Sequence, residues 1–217
     1  MELKRRFILF FVFPFFIQSQ TDPINRKNFL IEISPTNEEI IIDGNNSEAI
    51  WGTSPIIKDF FRITPVDTGR ASAKTEVQLT YDDNNLYALI ICYDSVIGKR
   101  PVESLRRDFS FPKNDNFIIF MDTYNDQTNG FAFGVSAAGA QWDGIQADGG
   151  DVSLDWDCKW YSEVNQYEDY WIAEFAIPFR SIRYLEAVDE WGINFSRFSL
   201  LQNEKSSWAP VPRQFKS

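Results

Sequence analysis

Histidine is absent from the sequence, and that absence excludes more than any motif does. Without imidazole there is no Ser-His-Asp or Cys-His nucleophile, and the usual ligand of zinc, copper and haem iron is missing. Beyond the initiator the only methionine is Met121, inside an apolar run of strand length. No glycine-rich phosphate loop occurs either, so haem, zinc and nucleotide cofactors are not expected. Basic residues are scarce: 21 Lys and Arg stand against 31 Asp and Glu, a formal net charge of −10. Nucleic acid is disfavoured as a partner, because its binding is driven by Lys and Arg neutralising phosphates.

Cysteine is limited to Cys92 and Cys158. In an exported protein the two could pair, or Cys92, set in the apolar run LYALIICYD, is a buried small hydrophobe. Long hydrophobic runs are confined to the N-terminus. Residues 1–20 show a basic KRR, the eleven-residue apolar stretch FILFFVFPFFI and a polar QSQ, the layout of a secretory signal peptide. That stretch is too short to span a bilayer as a helix. Export to the periplasm, outer membrane or cell surface is therefore expected, with residues 21–37 as a linker or edge segment and 38–217 as one folded domain.

What is present is β-pattern. The organising stretch is NDNFIIFMDTYNDQTNGFAFGVSAAGAQWD, Asn114 to Asp143. It reads as a strand from Asn116 to Met121, an acidic turn, a strand in which Phe131, Phe133 and Val135 alternate with small residues, and the start of a third. Ala73 to Tyr93 reads as a hairpin turning at Asp82 to Asn85, its return strand apolar on both faces and hence central. Trp160 to Asn165 and Tyr170 to Ile177 form a second hairpin. Edge strands are expected around Phe29 to Ile33 and Ile56 to Ile63, a strand at Ile40 to Ile42 with Trp51 as a core plug, and a last strand in Trp191 to Leu200. Eight to ten short strands without a long amphipathic helix predict an all-β fold, an antiparallel two-sheet β-sandwich of jelly-roll type.

Asp122, Asp126 and Asp143 are the candidate calcium ligands, since acidic turns at neighbouring strand ends supply the oxygens a hard cation takes. Their alternative role is turn formation and solubility. Arg100, Arg106 and Arg107 read as a ligand clamp or as partners of the surplus carboxylates. The only common hydrolysis open to a chain without His or metal is glycoside cleavage by two carboxylates. Glu174 is the best-placed lone Glu, and no second one is fixed by the pattern.

The ordered motifs IDGNNSEAIW, VQLTYDDNNLYALIICYDS, NDNFIIFMD, YWIAEFAIPFRSI and WGINFSR, spanning Ile40 to Trp208, resemble the family 9 carbohydrate-binding module. The likeness is to the version that precedes an outer-membrane β-barrel in Bacteroidota proteins. It implies an extracytoplasmic sandwich, often calcium-bearing, that binds sugar chain ends between two tryptophans. It further implies a non-catalytic glycan- or oligosaccharide-binding role in polysaccharide catabolism, alone or associated with a glycoside hydrolase. The alternative is a structural periplasmic domain of a barrel absent from this chain. Where the family has its first Trp this sequence has Pro112, with Phe109 and Phe111 beside it; the second corresponds to Trp208. The family's acidic hydroxyl reader is replaced by Ile118, and its basic one falls near Phe133 and Gly134. Phe109, Phe111, Trp208, Arg106 and Arg107 are therefore the candidate ligand-binding residues.

Overall fold

A computed structural model describes residues 26–95, 100–148, 151–185 and 187–211. The leader lies outside them. Ten strands form: β1 (Phe61–Thr64), β2 (Thr75–Tyr81), β3 (Asn85–Tyr93), β4 (Asn116–Asp122), β5 (Gly130–Ser136), β6 (Gln141–Gln146), β7 (Tyr161–Gln166), β8 (Tyr170–Pro178), β9 (Gly192–Ser199) and β10 (Glu204–Ser207). They make a six-stranded sheet in the order β1-β10-β9-β4-β5-β6 and a four-stranded sheet in the order β2-β3-β8-β7, with every named pair antiparallel. The two-sheet sandwich expected from the pattern is the fold observed.

The strands form where apolar and small residues alternate, because successive side chains leave opposite faces of a strand. Phe117, Ile119 and Met121 of β4, Phe131, Phe133 and Val135 of β5, and Trp171, Ala173, Phe175 and Ile177 of β8 turn inward into one core shared by the sheets. Phe117 and Phe195, on the paired strands β4 and β9 of the six-stranded sheet, stack side by side within the core, ring centroids 6.1 Å apart. Each such ring withdrawn from water contributes on the order of 2–3 kcal/mol.

A buried ionic knot closes one end. Arg197, 1% exposed, donates to the carbonyls of Lys74 and Tyr93 and to Asp94 Oδ1. Asp115 accepts from Trp171 Nε1 and Leu200 N. Arg100 also reaches Asp94, at 2.5 Å.

Both sheets have covered outer faces. Residues 38–54 lie over the four-stranded sheet, where Trp51 joins Tyr87, Leu89, Ile172 and Ala176 in a second cluster. Gln78 Nε2 ties this strap down through the Trp51 and Ser54 carbonyls. Trp51 is thus a plug, but of this outer layer rather than the central core.

Four local expectations are corrected. Ile40–Ile42 is not a strand, since it packs by side chains and finds no ladder partner. Phe29–Ile33 is likewise unpaired, with a 3₁₀ turn at Arg26–Phe29. Within Ile56–Ile63 only Phe61–Ile63 joins a strand, while Ile57 makes an isolated bridge to Val77. The last strand is β10, whose sequence EKSS carries no apolar signal and which exists because β9 and β1 pair with it from both sides.

Candidate functional site

The register of the six-stranded sheet builds the site. In β4, Phe117 and Ile119 face the core, so Ile118, Phe120 and Asp122 leave by the outer face. Cross-strand partners share a face, and Phe120 is flanked by Ala132 of β5 and Asn194 of β9. At the Asp122 end of that face lies a cavity of about 220 Å³. Phe120, Ala132 and Val152 supply its apolar lining, and Gln127, Asn129, Gln146 and Asn194 its amides. Most drug-sized pockets run to roughly 300–1,000 Å³, so this one suits a single ring or a chain end.

Turn chemistry shapes the lip. Asp122 Oδ1 accepts the backbone N–H of Tyr124 and Asp126, and Oδ2 that of Gln127 at 2.7 Å. Asp126 accepts from Thr128 and Asn129, backbone and side chain both. The Asn129 hydrogen bonds hold the Asp126 carboxyl well below its ordinary range. Asn125 and Gln127 adopt left-handed backbone, φ 54° and 64°. Gly130 has no alternative, because a Cβ there would lie 2.7 Å from the Met121 carbonyl oxygen.

The rest of the outer face is filled. Phe109, Ile118, Ala132, Ala140 and Trp142 form a cluster with Phe111 and Phe120 half-buried at its margin, and the Phe111 and Trp142 rings are 4.5 Å apart. Ile118 lies across Gly134, whose missing side chain is what admits it: a Cβ would meet Ile118 Cγ1 at 2.8 Å.

Of the sequence-derived ligand-binding residues, the structure joins Phe109 to Phe111, with centroids 5.8 Å apart, but separates both from Trp208. Trp208 is 7% exposed and packs in the central core against Phe195 and Phe29. Phe111 and Trp208 therefore sit on opposite faces of one sheet and cannot clamp a sugar ring between them. Arg106 is exposed, its backbone N–H bonded to Ser104. Arg107 is a partner of carboxylates, as is Arg100.

The expected calcium set also divides. Asp122 points outward from the end of β4, whereas Asp143 pairs with the inward-facing Phe133 of β5, three rungs away on the other face. Asp143 instead meets Asp108 and Asp157, their ligand oxygens within 4.8 Å of one another, a set able to hold a metal ion. The cation these oxygens face is Arg107. Its guanidinium donates to Asp143 Oδ1, to Asp157 Oδ1 at 2.8 Å, to Gln141 Oε1 and to the Cys158 carbonyl. Asp143 has no exposed surface, and burial raises its carboxyl despite the Cys158 N–H and Arg107. Cys92 and Cys158 are both free.

Glu174 is buried on the outer side of β8, where Oε2 accepts the N–H groups of Asp43 and Gly44 at 3.0 and 2.9 Å. Its Oε1 has no hydrogen-bond partner, and burial pushes the carboxyl up to about 7. It has no exposed surface. It anchors the strap.

The cavity residues Phe120, Gln127, Asn129, Gln146 and Asn194 were not singled out as binding residues by sequence reading. Alternation in NFIIFMD does put Phe120 on the face of Ile118, but the neighbours that complete the cavity come from register across three strands. Asp108 and Asp157 were visible as acidic residues only, with nothing to bring them to Asp143.

Comparison with known proteins bears on this arrangement. Residues 42–209 match the family described as carbohydrate family 9 binding domain-like. Comparison with curated proteins finds no significant match. Among solved structures, a family 9 carbohydrate-binding module from Caldicellulosiruptor kristjanssonii in complex with cellotriose aligns with a TM-score of 0.56 at 16% identity, covering 81% of each chain. A family 9 module from the same organism in complex with glucose gives 0.55 at 18% identity, covering 81% of this chain and 84% of that one. A crystallised candidate carbohydrate-binding protein from Bacteroides uniformis gives 0.57 at 13% identity, covering 74% and 79%. At such identities the structures speak for the fold, and the match over residues 42–209 carries the assignment: the chain belongs to the carbohydrate family 9 binding domain-like family.

Proposed function

We propose that the chain is a non-catalytic carbohydrate-binding module of an exported cell-envelope protein, and that it holds a glycan end at the Phe120 cavity. The observation that carries this is the cavity itself: an aromatic ring and small apolar residues beneath, with amides from three elements around. A sugar ring lays its C–H face on such a surface and its hydroxyls against the amides. Nothing in this arrangement calls for bond cleavage: the buried carboxyls of Glu174 and Glu48 belong to the strap on the other sheet, where they accept N–H groups of the strap itself.

Isothermal titration with cello-oligosaccharides and a panel of other oligosaccharides tests the reading. Saturable heat at millimolar ligand or below, lost in Phe120→Ala, supports it. Absence of heat throughout favours the second reading, a ligand-free structural domain attached to an outer-membrane barrel. That alternative draws support from Trp208, which is spent in the core. Calcium is the metal we assign to the Asp108, Asp143 and Asp157 oxygens, with the Arg107 guanidinium competing for two of the three carboxylates so that the parent takes the ion only weakly. Export predicts that the mature protein from its native cell lacks residues 1–20, which N-terminal sequencing reads directly.

A further inference from the structure

We propose that the Phe120 cavity is a subsite for a 2-acetamido sugar, so that the module selects N-acetylated glycans over plain glucans. The inference rests on the glycan-binding reading above and narrows it. Its basis is the hydrogen-bonding capacity left over once the protein's own contacts are counted.

Asn194 Oδ1 accepts from Phe195 N and Ala209 N, and Nδ2 donates to the Ala209 carbonyl. An amide nitrogen has two N–H groups, so one Asn194 donor remains. Asn129 Nδ2 donates to Asp126 and Thr128, while Oδ1 accepts from Asp148 N, which among the described residues leaves one acceptor site. Asp122 Oδ2 accepts a single N–H and keeps capacity as well. Gln127, on its left-handed turn at the lip, adds a donor and an acceptor on an exposed side chain.

The cavity thus offers spare donors and spare acceptors on two sides of an apolar floor made by Phe120 and Ala132. An acetamido group has the matching three parts: a carbonyl that accepts, an N–H that donates and a methyl that wants no partner. A hydroxyl directed onto Phe120 and Ala132 would lose its water without replacement, whereas the methyl gains by burial. No Lys or Arg lines the cavity, so a carboxylate- or sulfate-bearing sugar finds no counter-charge among the described residues.

The experiment is parallel titration of the full chain with N,N′-diacetylchitobiose and cellobiose. The acetylated disaccharide is expected to bind roughly tenfold more tightly, a difference of the size that methyl burial with satisfied amides supplies. Phe120→Ala should abolish the preference. Gln127→Ala, on an exposed turn, should weaken both sugars and serves where the Phe120 variant is poorly folded. Equal or tighter cellobiose binding overturns this inference and leaves the module reading standing. No binding of either sugar overturns this inference, and the module reading falls with it only if the wider oligosaccharide panel is silent as well. A preference unchanged in a folded Phe120→Ala, or affinities for both sugars unchanged in Gln127→Ala, places the subsite elsewhere and overturns the proposal.

Discussion

The guanidinium of Arg107 donates to the carboxylate of Asp143 across 36 residues of sequence, on the spot where the surrounding oxygens would hold a metal ion. The pair puts a positive charge among the three carboxylates at the edge of β6. A fully buried pair loses about 3–5 kcal/mol when one partner is removed. The Arg107 side chain keeps 34% exposure, so Arg107→Gln should cost about 1–3 kcal/mol. Millimolar calcium should recover part of that loss in the variant and leave the parent's melting temperature nearly unchanged, with EDTA as the control. The same calcium response in both proteins would sink the idea.

Glu174 predicts a pH dependence of stability. Its carboxyl titrates at about 7 in the folded chain against an ordinary 4.5, so the unfolded chain releases this proton more readily. Its stabilisation is then fully present below about pH 4.5 and is lost as pH rises through about 7. The group sits under Asp43 and Glu48 of the strap and opposite Glu163 of β7, and forms no salt bridge among the described residues. Between pH 5 and 8 the parent should lose on the order of 2–3 kcal/mol relative to Glu174→Gln. Denaturant titrations at both pH values measure this, and parallel slopes for the two proteins would remove the assignment.

Gly134 is fixed by contact rather than by backbone conformation. In Gly134→Ala the new methyl meets Ile118 Cγ1 at 2.8 Å and the Phe117 carbonyl oxygen at 2.9 Å, an overpacking worth about 1–3 kcal/mol. Adding Ile118→Ala should return only part of that, because the backbone contact remains. Additive losses in the double variant would show that the two residues do not meet.

Trp208 and Phe120 should separate stability from binding. Trp208→Ala removes a core ring and should cost about 3–5 kcal/mol. Phe120→Ala, half-buried on the outer face, should cost less and act chiefly on sugar affinity. Thermal melts beside calorimetry decide, and a well-folded Trp208→Ala that has lost sugar binding would return that residue to the ligand site.

Much of the sandwich could be read from alternation alone. FIIFM, FAFGV and WIAEFAI declare their strands because one face of each must be apolar. β10 could not be read, since Glu204 and Ser206 are buried by hydrogen bonds and packing rather than by hydrophobicity: Glu204 accepts from Ser72 N and Oγ. Ile40–Ile42 misled for the converse reason, being apolar without a ladder. The site was harder still. Asp122, Asp126 and Asp143 look alike in sequence, yet strand parity sends Asp122 and Asp143 to opposite faces. Trp208, the expected clamp, follows β10 back into the core, where the Phe195 carbonyl accepts its backbone N–H and the two rings pack at a tilt.

The order β1-β10-β9-β4-β5-β6 seats β10 between β9 and β1, pairing Phe61 with Ser207. β4, β5 and β6 can pair in turn as they emerge, but the sheet cannot be completed at its β1 edge until nearly the whole domain has left the ribosome. Until then β1 has no neighbour to zip onto, and such distant closure makes for slow collapse to the native state.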